Sequence, residues 1–310
     1  MSARGCCADS CRDAAGLVKR RTQIKNEISA VLHRNLKGRS PASDPFAVKG
    51  RASIAEQTLP IDERLTVDGC LRELDFLGDE LAQIDVVIAQ QVLGDDDVRR
   101  LMAIPGIDVV TATTLVAVIG DVRRFPTSRH LVGYLGLHPT IRQSGNGPAR
   151  HGRVSKEGSA AARHVLVEAA WSSAKSPGPL RAFAQRTAVR RGRHIATVAV
   201  ARKLAVLAWT LLTRGEDYAF ARPSLVRRKI RRLELTAGAP RRKPGPTTDP
   251  VWNTSTDEAE KRFAYQAEQA YRRLVADWQA SDPKVGAGAT PERASHRPSK
   301  GKAARQATSS

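Results

Sequence analysis

"DDDVRRLMAIPGIDVVTATTLVAVIG", Asp95 to Gly120, decides how this chain is read. A charged opening leads into apolar residues at helical spacing. Pro-Gly interrupts them, and a second apolar run ends on Gly. The stretch therefore reads as helix, tight turn, helix. Downstream, "FPTSRHLVGYLGL" starts a third helix with Thr127 or Ser128 as its cap. Further helices are expected at about Ser159–Ser173, Leu180–Arg190 and His194–Thr213, the last stopping at Arg214-Gly215. Residues 98–218 thus read as one compact helical domain, and the fold class as mainly α.

Working outward, residues 1–12 show no period and no core-forming content, so a disordered start is expected. Residues 13–97 read as a helical linker. Ile24, Ile28 and Leu32 line one face of a first helix. Leu74, Leu77, Leu81, Ile84 and Ile88 alternate steps of three and four along a longer one, which is coiled-coil spacing. That seam closes either within the chain, as a helical hairpin, or between copies, as a homo-oligomer through residues 13–93. Residues 219–310 read as a basic, low-complexity, disordered tail. It is interrupted by one helix near 257–280 that opens on the capping box Ser255-x-x-Glu258.

The charge balance narrows the partners. Lys and Arg number 51 against 31 Asp and Glu, a net charge of +20 in 310 residues. Such a surplus attracts polyanions, nucleic acid first among them. Cys6, Cys7, Cys11 and Cys70 follow no metal spacing or disulfide framework. With no secretory signal and no membrane-length apolar run apparent in the sequence, a cytoplasmic location without a membrane anchor is expected.

Three stretches could carry chemistry. In "IPGIDVVTA", a turn at Gly106 before a helix resembles a helix-hairpin-helix, whose turn offers backbone N–H groups to a DNA phosphate. Asp108 would repel that phosphate or cap the helix, so a purely structural turn stands equally open. In "HPTIRQSGNGPARHGRVSKEGSAAARH", Arg142, Arg150, Arg153, Lys156 and Arg163 surround Ser144, with Glu157 the only acid. Gly145, Gly147 and Gly152 permit close backbone approach. A serine so placed is a nucleophile only if activated, and on residues alone a loop serine is more often a solvated hydroxyl or a cap. His138 and His151 are candidates for proton transfer, and the arginines for stabilising phosphoryl oxygens. Finally, Arg181 to Trp209 contains no acidic residue, so Arg190, Arg191 and Arg193 are candidate phosphate contacts.

Taken in order, "IPGI", "FPTS..LVGYLGL.P", "QSG" and "GR.SK.G", followed by "GRHIATVAVARKLAVLAWTLLTRGEDY", closely resemble one family of insertion-sequence transposases. These are the DEDD-type enzymes related to pilin-gene invertases, some of them recombinases guided by a bridge RNA. The resemblance covers about residues 101–218, the family's C-terminal domain, and the helices before it look like the family's coiled-coil linker. It implies DNA transposition, with DNA and for some members a guide RNA as partners. By position Ser144 corresponds to the nucleophile that joins DNA covalently. The family's divalent metal, Mg²⁺, is held by four acids of an N-terminal RuvC-like domain for which this sequence has no counterpart. No metal ligand is therefore carried over, and no cofactor is expected on this chain. The expectation is a shortened transposase, with a catalytically inactive DNA- or RNA-binding remnant, or a modulator of a full-length relative, as the alternative.

Overall fold

The computed structural model describes residues 3–38, 42–145, 150–241 and 254–281. The described residues are mainly α-helical, as expected. α1 (Ala3–Arg34) and α3 (Ile61–Val92) form an antiparallel hairpin, with α2 (Val48–Ala55) in their connection. Ile24, Ile28, Val31, Ile54, Val67, Cys70, Leu74 and Leu77 form its core. Arg20 Nε donates to Glu73 Oε1 at 2.8 Å, and Arg34 pairs with Glu63 on the same flank. The heptad seam on α3 is buried as its spacing predicts, with Ile84 only partly covered, and it closes within the chain.

The first residues do not match the expectation of a disordered start. α1 is already helical at Ala3, and its first half lies beside α5 (Val109–Ile119). Cys11 there joins Ile88, Ala89 and Val92 in the main core. Helix stability at this end comes from tertiary burial, which a periodicity search within the segment cannot detect.

The domain after the hairpin is built around α9 (Arg193–Arg214). Ala196, Val200, Ala201, Leu204, Ala205, Ala208 and Leu211 are buried along it. The alanines let neighbours approach closely. α4 (Asp96–Met102), α6 (Ser128–Tyr134), α7 (Ala160–Ser173) and α8 (Pro179–Arg191) all pack against it. By length and composition α9 alone among the described helices could cross a membrane, yet one face of it is the core of this domain. It ends as read, on Gly215 in the left-handed region at φ 68°. α4 begins on Asp95, whose carboxylate accepts from the Asp97 and Val98 amides at 2.9 and 3.2 Å. Beside the short 3-10 turn Val122–Arg124, the Trp209 indole donates to the Phe125 carbonyl at 2.9 Å and ties α9 to the entrance of α6.

Of the two helices after the domain, α11 (Thr254–Ser281) falls where one was expected near 257–280, whereas α10 (Pro223–Thr236) lies in a stretch read as structureless tail. α10 buries Leu233 in the main core, and α11 lies against α8 and α10. The side chain of Ser255 and residues 282–310, expected to be disordered, lie outside the described part. Charged contacts hold both helices in place. Lys229 Nζ donates to the carbonyls of Met102 at 2.8 Å and Ile107 at 2.6 Å, and burial pushes its pKa down to about 8, with Asp108 opposing. Glu268, with no exposed side-chain surface, accepts from the Gly178 amide at 3.2 Å and from Arg181 Nε at 2.8 Å. Burial alone would raise its pKa, but these bonds and Arg272 outweigh that and leave it below the usual value. Asp257 is held down to about 2, first by Lys261 and, against the opposing effect of burial, also by Ser224 and Arg222. Apart from Lys261 and Arg272, one helical turn away, these partners come from distant parts of the chain, which is why composition reads α10 as tail and gives no sign that α11 packs on the domain.

Both carboxylates have folded-state pKa values below their unfolded ones. Their stabilisation is therefore fully present above the unfolded carboxylate range and is lost as pH falls from about 4 towards 2. Thermal melting is expected to fall steeply across that window in the native chain and more gently in the double variant Asp257→Asn/Glu268→Gln. At neutral pH, Glu268→Ala should lose about 3 kcal/mol by denaturant titration, since Arg181 is left without its partner in a largely buried site. An unchanged midpoint would mean that α11 does not stabilise the domain.

Candidate functional site

The segment around Ser144, read as a loop, is a β-hairpin. β1 (Pro139–Arg142) and β2 (Arg150–Val154) pair antiparallel, with Ile141 opposite His151, Arg142 opposite Arg150, and an irregularity between Pro139 and Ile141. The residues are too polar and too rich in Gly to show the alternation that marks a strand. Pairing relies on close backbone fit. Gly152 lies where a Cβ would come within 2.4 Å of Thr140 Oγ1, and that hydroxyl donates to the Arg153 carbonyl at 3.1 Å.

The base of the hairpin is locked to the end of α6. Gly158, at φ 123°, passes so close to the Tyr134 carbonyl that a Cβ would stand 2.0 Å from its oxygen. Gly136, at φ 66°, faces the Glu157 carbonyl at a would-be 2.3 Å. Between them the Ser155 amide donates to the His138 carbonyl at 2.9 Å, and Lys156 adopts φ 60°. The "GR.SK.G" run is thus a structural clasp. Its signal in the sequence is the pair of glycines in "LGLHP" and "KEGS", which is visible but has no meaning until the two segments meet. Ser159 then caps α7, its Oγ accepting from the Ala162 amide at 3.2 Å.

The clasp presents the polar end of the hairpin to solvent. Residues 141–145 are all exposed, so Arg142, Ser144 and, across the ladder, Arg150 share one accessible end. Arg153 and Lys156 line β2 further down and just beyond it. Gly147 lies outside the described residues, as does the His151 side chain. His138 Nδ1 is 3.4 Å from Ser155 Oγ, so the partner the structure gives it is Ser155. No described group hydrogen-bonds to the Ser144 hydroxyl, and among the described residues no three His, Cys, Asp or Glu side chains are grouped so as to hold a metal ion. The described residues at this hairpin offer no carboxylate or imidazole set that fits a divalent metal, and no step through one is derived from them.

Two candidates are placed elsewhere than expected. Arg163 turns inward and donates through Nη1 to the Leu135 carbonyl at 3.3 Å and the Gly158 carbonyl at 3.0 Å. Through that nitrogen it holds the clasp together. Gly106 is enclosed as well. A Cβ there would meet the Ala169 carbonyl and Ser173 Oγ at 2.5 Å, and Ser173 Oγ donates to the Pro105 carbonyl at 2.6 Å. With Lys229 on the turn's carbonyls and Asp108 capping α5 through the Val109 amide at 2.9 Å, the turn is fitted to its neighbours. Of the two readings left open for Gly106, this packing agrees with the structural one. Arg190, Arg191 and Arg193 lie on a different element, the α8–α9 corner, and are exposed.

Comparison with known proteins bears on this same region. Residues 98–185, which include the whole hairpin, match the Transposase IS116/IS110/IS902 family. The chain is 29% identical over 207 residues to the transposase for insertion sequence element IS1111A of Coxiella burnetii, covering 65% of this chain and 57% of that protein. It is 29% identical over 211 residues to a probable family 20 transposase of Pseudomonas aeruginosa, covering 65% and 62%. Over a shorter stretch of 45 residues it is 47% identical to an uncharacterized 43.6 kDa protein of insertion element IS110 from Streptomyces coelicolor, 14% of this chain and 11% of that one. The chain spans about three-fifths of the length of the first two relatives.

The clasp yields a direct test. Gly158→Ala forces a side chain into a left-handed backbone and onto the Tyr134 carbonyl, and is expected to cost about 2–3 kcal/mol of stability. Hydrogen exchange should show the Ser155 amide losing protection. An alanine variant with native stability and native protection would show that the hairpin is not held this way.

Proposed function

We propose that this chain, whose residues 98–185 match the Transposase IS116/IS110/IS902 family, acts as an insertion-sequence transposase that binds DNA and exchanges strands through Ser144. The observation that carries this reading is the exposed hairpin end, where Ser144 stands between Arg142 and Arg150 inside the family-matched residues. In the proposed step, Ser144 Oγ attacks a DNA phosphorus and loses its proton to a base. An O–P bond forms to serine, the bond to one bridging oxygen breaks, and that oxygen leaves with the electron pair and takes up a proton. Attack by the corresponding oxygen of a second strand reverses the step and frees the serine. Energy of the phosphodiester is conserved in the covalent intermediate. Arg142 and Arg150, with Arg153 and Lys156 along the strand, would hold the phosphates and stabilise charge on the non-bridging oxygens. Any divalent metal used by the whole transposase, Mg²⁺ in the family it resembles, would be held outside these residues. The setting proposed is cytoplasmic, with DNA and a guide RNA as partners. Contact between copies is proposed through surfaces of the α1–α3 hairpin other than its seam, which is closed within the chain.

A second reading is binding without chemistry, as a nucleic-acid-binding piece or a modulator of a longer relative. Two observations favour it: no described base hydrogen-bonds to Ser144, and no described acid cluster accompanies it.

The two readings part in one assay. The chain is incubated with labelled duplexes of element ends, Mg²⁺ and candidate guide RNA, and protein–DNA adducts are resolved on a denaturing gel. Strand exchange predicts an adduct that Ser144→Ala reduces at least a hundredfold while salt-sensitive binding persists. An undiminished adduct in Ser144→Ala would sink the serine role. Binding with no adduct, alongside an active full-length relative, would establish the second reading.

A further inference from the structure

We propose that the α8–α9 corner is a groove-entering tip that takes the major groove of B-form DNA, an inference that rests on the nucleic-acid reading above. α8 and α9 are joined by Gly192 alone, which ends one helix and begins the next at φ 85°. The two helices pack on each other, so their junction is the end of a helical hairpin. The residues from Val189 to Ile195 are all exposed, so this end stands clear of the domain. His194 is steadied from behind by Trp171, the two rings meeting edge-on at 6.0 Å.

The composition of the tip identifies the partner. Arg190, Arg191 and Arg193 form no ion pair with any described carboxylate. There is no acid anywhere from Arg181 to Trp209, and Arg202 and Lys203 extend the unpaired charge along α9. Flanking these cations are two apolar side chains, Val189 at 89% and Ile195 at 54% exposure. A solvated basic face needs no such pair. A surface that meets base edges does, because thymine methyl groups offer apolar contact where guanine offers O6 and N7 to an arginine. Phosphates alone would call for cations without the aliphatic side chains.

Shape selects the duplex. The major groove of B-DNA, about 12 Å wide, admits a single α-helix, here the first turn of α9 with the Gly192 corner leading, whereas that of A-form RNA is deep and too narrow for side-chain readout. Arg190 and Arg191 are assigned to flanking phosphates. Arg193, at the start of α9, is assigned to a guanine edge, with Val189 and Ile195 against neighbouring bases.

The test uses the full chain and fluorescence anisotropy with a labelled DNA duplex of about 25 base pairs, some two and a half helical turns, across a salt series. An RNA duplex of the same sequence and dimethyl sulfate protection of guanine N7 accompany it. Arg190→Ala/Arg191→Ala should weaken DNA binding at least tenfold and lower the salt slope by about two, one for each phosphate no longer neutralised. Val189→Ser/Ile195→Ser should weaken it a few-fold at unchanged slope. Wild type should protect guanine N7, and Arg193→Ala should abolish that protection. All these positions are exposed, and circular dichroism checks that each variant keeps its helix content. Native affinity, slope and N7 protection in every variant would overturn the tip while leaving DNA binding intact. Equal or tighter binding to the RNA duplex would overturn the groove assignment alone. Absence of binding to either duplex would remove both this inference and the reading it rests on.

Discussion

Burial of one face of α9 is the constraint on which the rest of the molecule depends. Val200, Leu204 and Leu211 supply the apolar bulk, and Ala201, Ala205 and Ala208 supply the close approach that lets several helices meet along a single axis. A helix enclosed on that side has only its remaining face for solvent. Because this segment contains no acid, the charges on that face and on the corner beside it are all cationic. The packing of the core and the charge of the surface are therefore set by the same helix. The first is driven by apolar burial, and the second is left unneutralised by composition.

Around that axis the chain uses two ways of fixing polar segments that have little hydrophobic content. The β1–β2 hairpin is held by backbone fit, with Gly136 and Gly158 letting two chain segments pass closer than any side chain permits. Such a contact keeps a hydrophilic, arginine-rich strand pair in place without setting apolar bulk beside Ser144. α10 and α11 are held by charge. Lys229 donates to the Met102 and Ile107 carbonyls on either side of the Pro-Gly turn, while Glu268 and Asp257 gather arginines from α8 and from α10 and its start. These bonds remove several cations from the solvent-facing surplus. The hairpin end and the α8–α9 corner keep their exposed cations.

The two ways differ in how much the chain itself reveals. The capping aspartates and the left-handed glycine after α9 act within a few residues of themselves, so Asp95, Asp108 and Gly215 are legible from their neighbours. The heptad leucines of α3 are equally legible, since their period is set by helix geometry alone. The structural contacts of Arg163 and Gly106 were not legible, for the opposite reason. An arginine beside a basic loop and a glycine in a turn look available until Leu135, Gly158, Ala169 and Ser173 arrive from elsewhere in the chain. Val189 and Ile195 gave no signal, because an apolar residue at a helix end is core or surface according to where the helix points.

Local spacing and composition were enough for the helical class, the helices from Asp95 to Gly215, the positive charge, and the order of motifs that ties residues 98–185 to a transposase family. None of these needs any knowledge of what lies across the fold. Four outcomes were settled in three dimensions instead. The segment around Ser144 is a strand pair, α1 begins at Ala3, α10 and α11 belong to the body, and the heptad seam closes on α1. Those outcomes depend on contacts between residues distant along the chain. Their free energy comes from joint burial and paired charge, so it is a property of neither partner alone.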